Sequence, residues 1–116
     1  MPVLRHWLIV HRALRRESAF TKRVTALLRD EEYLALQLAL VFRPEQGPII
    51  AGSSGLRKVR WAAKGRGKRG RLRVIYYWEP PEEAFYMLYV YAKNEQGDLT
   101  TAQVRTLARL VREEFR

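Results

Sequence analysis

Nine of the 22 basic side chains in this 116-residue chain fall between Leu56 and Arg73: Arg57, Lys58, Arg60, Lys64, Arg66, Lys68, Arg69, Arg71 and Arg73. The same eighteen residues contain no Asp or Glu. The other 98 residues hold 13 basic against 12 acidic side chains, so most of the net charge of +10 is concentrated here. An even spread of charge would bear only on solubility, whereas a concentrated one sets up a local field that attracts phosphate. The segment is not a simple basic tail. Leu56, Val59, Trp61, Leu72 and Val74 punctuate it, which mounts the charges on a folded element.

Alternation along a strand indicates which of these side chains converge. In Leu56 to Trp61, Lys58 and Arg60 share one face, and Arg57, Val59 and Trp61 share the other. In the next apolar run, Arg73, Ile75 and Tyr77 oppose Leu72, Val74, Tyr76 and Trp78. In a third run, Tyr89, Tyr91 and Lys93 line up. A sheet of these three strands is expected to gather Lys58, Arg60, Arg73, Tyr91 and Lys93 in one concave basic patch. The pattern also fits a solvated sheet face whose charges serve solubility and edge protection. The absence of counter-charge over eighteen residues favours a nucleic-acid or phosphate partner. Lys64-Gly65-Arg66-Gly67-Lys68-Arg69-Gly70 adds a mobile loop able to wrap a backbone. It lacks the GxxxxGK[ST] pattern of a phosphate-binding loop before a helix.

The remaining chemistry is sparse. There are no cysteines, which removes disulfides, thiolate metal sites and Cys nucleophiles. His6 and His11 lack a second histidine pair or nearby carboxylates, so no metal site and no cofactor are expected. Tyr91 is the aromatic singled out for stacking on a base, because it shares a face with Lys93. No apolar run approaches the roughly 18 residues that span a bilayer. No signal-peptide cleavage site follows the first residues, so a cytoplasmic protein with no membrane contact is expected.

The elements that must position these residues read as a single domain over residues 1–116, of α+β class. Leu4 to His11 fits either a strand or a helix. Ser18 N-caps a predicted helix over 19–29, and Asp30 begins a second that stops before Pro44 and Gly47. Loop signals surround Ile49-Ile50. Three antiparallel strands follow, near 56–61, 72–78 and 85–91, with Glu79-Pro80-Pro81-Glu82 as a turn. Thr100 and Gln103 form a capping box for a last helix, with Leu99 stapled onto Val104 and with Val104, Leu107, Ala108, Val111 and Phe115 at helical spacing.

The run Gly52-Ser53-Ser54-Gly55-Leu56-Arg57-Lys58-Val59-Arg60 resembles the G-x-G-G-L-R-K-x-R signature of RelE/HigB-type toxins of bacterial toxin–antitoxin pairs. Gly65 to Gly70, Arg73-Val74-Ile75-Tyr76-Tyr77 and Tyr91-Ala92-Lys93-Asn94-Glu95 with Asp98-Leu99-Thr100 continue the pattern in order, and the likeness covers about residues 18–112. Ser54 and Arg71 depart from it, since each stands where the family usually has Gly. The first seventeen residues match poorly.

The resemblance implies a fold similar to small microbial ribonucleases, with helices packed on one face of a twisted antiparallel sheet. It also implies a toxin that cuts messenger RNA in the ribosomal A site, silenced by a helix-turn-helix antitoxin of HigA type. By family pattern Lys58, Arg60, Arg73 and Lys93 occupy active-site positions; the charge of Arg57, Lys64, Arg66, Lys68 and Arg69 and the ring of Tyr91 are separately expected to contribute to RNA binding. The implied reaction is attack of a ribose 2′-OH on the adjacent phosphate. Arg73 suits the transition-state charge, and Lys58 or Lys93 suits general acid or base, in an order left open. A ParE-like gyrase inhibitor and an inactive RNA- or antitoxin-binding module are the alternatives on the same fold.

Overall fold

The structure is a computed structural model that describes residues 18–63, 71–80 and 84–115. The ambiguous N-terminal stretch with His6 and His11, the Gly-rich basic loop and most of the proline turn lie outside the described residues. The elements run α1 (Ser18–Leu27), α2 (Asp30–Phe42), β1 (Arg57–Ala62), β2 (Arg71–Glu79), β3 (Ala84–Ala92) and α3 (Thr101–Phe115). This is the expected α+β order, two helices before the sheet and one after it.

The helix starts follow local chemistry. Asp30, Glu31 and Glu32 sit in the first turn of α2, where carboxylates meet the positive end of the helix. The Arg29 N–H donates to Glu32 Oε1 at 3.0 Å. At α3 the capping box forms as the sequence indicates. The Gln103 N–H donates to Thr100 Oγ1 at 3.0 Å, and the Thr100 N–H donates to Gln103 Oε1 at 2.9 Å.

The three strands form one antiparallel sheet in the order β1-β2-β3. Its two faces bury two separate apolar clusters. Val59, Leu72, Val74, Tyr76, Met87 and Val90 pack with Val24, Leu28, Leu36 and Leu40 of the α1–α2 region. Leu56, Ile75, Tyr77, Leu88 and Tyr91 pack with Val111, flanked by Leu107 and Leu110, of α3. The expectation of helices on one face is therefore corrected: α3 covers the opposite face from α1 and α2. The reason is the amphipathic stripe of α3, which needs an apolar partner. The bulge between Ile75 and Tyr76 turns Leu88 toward that side.

Both free sheet edges are occupied. Arg23 of α1 donates from Nε to the Val90 carbonyl at 2.5 Å, pairs with Glu95, and lies 5.0 Å over the Tyr89 ring. Along β1, the Lys58 N–H donates to the Pro48 carbonyl at 3.1 Å, and Ile49 bridges to Arg57. Gly47 presses on this strand: a Cβ there would meet the Lys58 carbonyl oxygen at 2.9 Å. Tyr76 fixes the same loop, donating to the Pro44 carbonyl at 2.7 Å and accepting from the Gly47 N–H at 3.1 Å.

Candidate active site

Register brings the basic residues into rows. Arg60 of β1 pairs with Arg73 of β2, which pairs with Tyr91 of β3. The neighbouring row is Lys58, Ile75 and Tyr89. On the other side, Ala62 pairs with Arg71, whose carbonyl accepts from the Lys93 N–H at 2.8 Å. Paired residues project to one face, so Lys58, Arg60, Arg71, Arg73 and Lys93 flank one surface.

Two guanidinium groups standing opposite each other on adjacent strands destabilise a sheet when nothing neutralises them. Arg60 is exposed and has no partner among the described residues. Arg73 is 9% exposed and donates from Nη1 to the Leu72 carbonyl at 3.2 Å.

Among the described residues, one carboxylate bonds a cation of this face. Asp98, in the turn before α3, accepts from Lys58 Nζ at 3.2 Å. Its acidity is strengthened first by the Leu99 N–H, which donates to Oδ1 at 2.9 Å, and then by Lys58, which together hold its pKa below the usual 3.8. Tyr91 lies beside it. Burial raises the Tyr91 pKa, the Asp98 charge adds to the rise, and Arg73 opposes it. The phenol therefore stays protonated at neutral pH.

The expected residues divide clearly. Lys58, Arg60, Arg73 and Lys93 come to one face. Tyr91 is on that face too, but at 0% exposure, enclosed with Leu56 and Val111, its ring presents no surface to a base in this fold. Alternation located its side of the sheet without revealing that α3 covers it. Arg57 points to the other face, where Nη1 donates to the Gly47 and Glu45 carbonyls at 2.9 and 3.2 Å and Nη2 pairs with Glu45 at 3.5 Å. The structure thus commits Arg57 to the 45–47 loop. Lys64, Arg66, Lys68 and Arg69 lie outside the described residues.

Comparison with known families decides the relationship. The model of the RelE toxin of the RelE/RelB toxin–antitoxin system matches residues 20–115. The chain belongs to the RelE toxin family. A RelE-family toxin implies an antitoxin partner of the RelB type. Among the described residues of this RelE-family chain, no helix is long and apolar enough to cross a membrane.

Three features of this RelE-family site were given no role from sequence. Arg71 joins the basic face, a position that strand parity with Arg73 already indicated. Asp98 reaches Lys58 across 40 positions, for which sequence offers no signal. Arg105, Arg109 and Arg112 form an exposed basic stripe along α3, legible from their i, i+4, i+7 spacing. The near balance of charge outside Leu56 to Arg73 concealed it.

Proposed function

We propose that the protein is a HigB-like toxin that cleaves messenger RNA in the ribosomal A site, using the basic face of the sheet as its catalytic surface. The observation that carries this reading is the direct opposition of Arg60 and Arg73 with Lys58 and Lys93 flanking them. That arrangement supplies two planar, permanently charged groups and two mobile lysine side chains around one phosphate.

In the reaction the ribose 2′-oxygen attacks the adjacent phosphorus while its proton passes to a base. The P–O5′ bond breaks and the leaving 5′-oxygen takes a proton, giving a 2′,3′-cyclic phosphate and a 5′-hydroxyl. Arg73, set in the half-enclosed floor, stabilises the charge on the phosphoryl oxygens. Lys58 and Lys93 stand on either side, one as the neutral amine that takes the 2′ proton and the other as the ammonium group that gives one to the 5′-oxygen, in an order left open. Lys58 leaves Asp98 when a phosphate takes its place. The limited acid–base equipment fits an enzyme whose RNA is positioned by the ribosome. The partner in the resting state is a helix-turn-helix antitoxin of HigA type, and the compartment is the cytoplasm.

Primer extension on a messenger RNA incubated with the protein tests this, with and without translating ribosomes and alongside Arg73→Ala. Ribosome-dependent cuts absent from the variant support the reading. Cuts of equal strength by a folded Arg73→Ala protein remove the mechanism, and ribosome-independent cuts remove the A-site requirement.

A further inference from the structure

Outside the proposed catalytic face, the loop preceding β1 and helix α3 enclose a cavity of 320 Å³. Leu99, Val104 and Ala108 give it apolar walls, Gly52 contributes backbone, and Arg105 and Arg112 stand about two turns apart on one α3 stripe along its lining. None of the lining residues is acidic. Arg105 is exposed and has no partner among the described residues, so its guanidinium is available to a ligand.

Arg112 is held in place. Its Nη1 donates to Ser54 Oγ at 2.9 Å, across 58 positions. Ser54 has φ +64°, the left-handed region that is unfavourable for a residue with a Cβ. Glycine would occupy this position more easily, but glycine has no hydroxyl to fix Arg112. The strained serine thus contributes the group that orients the arginine at the cavity.

The cavity also adjoins the basic face. Leu99 on its wall directly follows Asp98, which holds Lys58.

We propose that this cavity is a second RNA subsite, taking a nucleotide that flanks the scissile bond. The base lies against Leu99, Val104 and Ala108, and Arg105 and Arg112 grip its phosphate. The proposal rests on the nuclease reading of the sheet face. Apolar walls beside paired guanidinium groups match a nucleotide, which has an apolar ring face and an anionic end.

The test is binding of single-stranded 2′-O-methyl RNA, which lacks the attacking hydroxyl, as a trinucleotide and as a nonamer over a range of salt. Wild type, Arg105→Ala/Arg112→Ala, Ser54→Gly and Arg73→Ala are compared, each with its fold checked by circular dichroism. The double variant is expected to bind the nonamer roughly tenfold more weakly with a salt slope lower by about 2, and to bind the trinucleotide unchanged. Ser54→Gly, whose backbone is relieved, is expected to show part of the same loss in a fully folded protein.

Wild-type nonamer affinity and slope in the double variant, with Arg73→Ala weakened on both RNAs, overturn the subsite and leave the nuclease reading standing. Loss in the double variant with Arg73→Ala unaffected supports the cavity as an RNA site and leaves the catalytic reading of the sheet to the cleavage assay. Unchanged RNA binding with lost binding of a polyglutamate peptide overturns the proposal in favour of an acidic protein segment.

Discussion

Lys58 Nζ lies 3.2 Å from Asp98 Oδ1, joining the first strand of the sheet to the turn before α3. The two side chains are 27% and 73% exposed, so water screens the pair and it breaks at little cost. The pair bears on the proposed function nonetheless: on that reading an arriving phosphate competes with the carboxylate for the Lys58 ammonium group.

Asp98→Asn removes that competitor while keeping an oxygen to accept from the Leu99 N–H. RNA binding is expected to tighten roughly fivefold, about the value of one unit charge a few ångströms away in water. Stability is expected to fall by less than about 1 kcal/mol. The sign of the pH effect follows from the lowered Asp98 pKa. The carboxylate stabilises the fold fully above its usual value of 3.8 and loses that contribution as pH falls through the lower value in the fold. Urea denaturation of both proteins from pH 7 to pH 2 is expected to show a difference that shrinks only at the acid end.

Arg73→Lys separates charge from geometry at the proposed catalytic surface. It retains a cation but loses the planar fork, and cleavage is expected to drop roughly 10²- to 10³-fold, the cost of removing one well-placed donor. Single-turnover cleavage on programmed ribosomes gives the value. A lysine variant within a few-fold of wild type would mean that Arg73 acts by charge alone.

Gly47→Ala links loop packing to the site. The added methyl would stand 2.9 Å from the Lys58 carbonyl oxygen and 3.1 Å from the Tyr76 ring, too close for either neighbour to remain in place. Overpacking of this kind costs about 1–3 kcal/mol. Because the displaced backbone carries Lys58, cleavage per folded molecule is expected to fall as well. Thermal melting and cleavage assays on the same preparation check both effects.

Tyr76→Phe is the contrasting case. It leaves the buried Gly47 N–H and Pro44 carbonyl without their partner, a loss of about 1–3 kcal/mol in urea denaturation. Its ring faces the α1–α2 side, away from the basic face, so the cleavage rate of the folded fraction is expected to stay within about twofold.

The sequence alone determined the six described elements and the faces of the strands, because those follow from local rules: a period of two in strands, a 3.6-residue stripe in α3, carboxylates at the start of α2, and the Thr100–Gln103 box. These rules place Lys58 and Arg60 on one side of β1 and Arg73, Ile75 and Tyr77 on one side of β2, while the pairing register brings the two sides together. Tertiary structure decided whatever depends on which element covers which face. The stripe of α3 indicates only that it must bury one side; packing on the basic face, opposite α1 and α2, is what encloses Tyr91 at 0% exposure. Arg57 shows the same limit, since alternation gave its face while only the folded 45–47 loop supplied the carbonyls it binds. The Lys58–Asp98 and Ser54–Arg112 contacts span 40 and 58 positions and arise from chain reversals that no local periodicity encodes. Long-range packing energy, spread over many side chains, selects them.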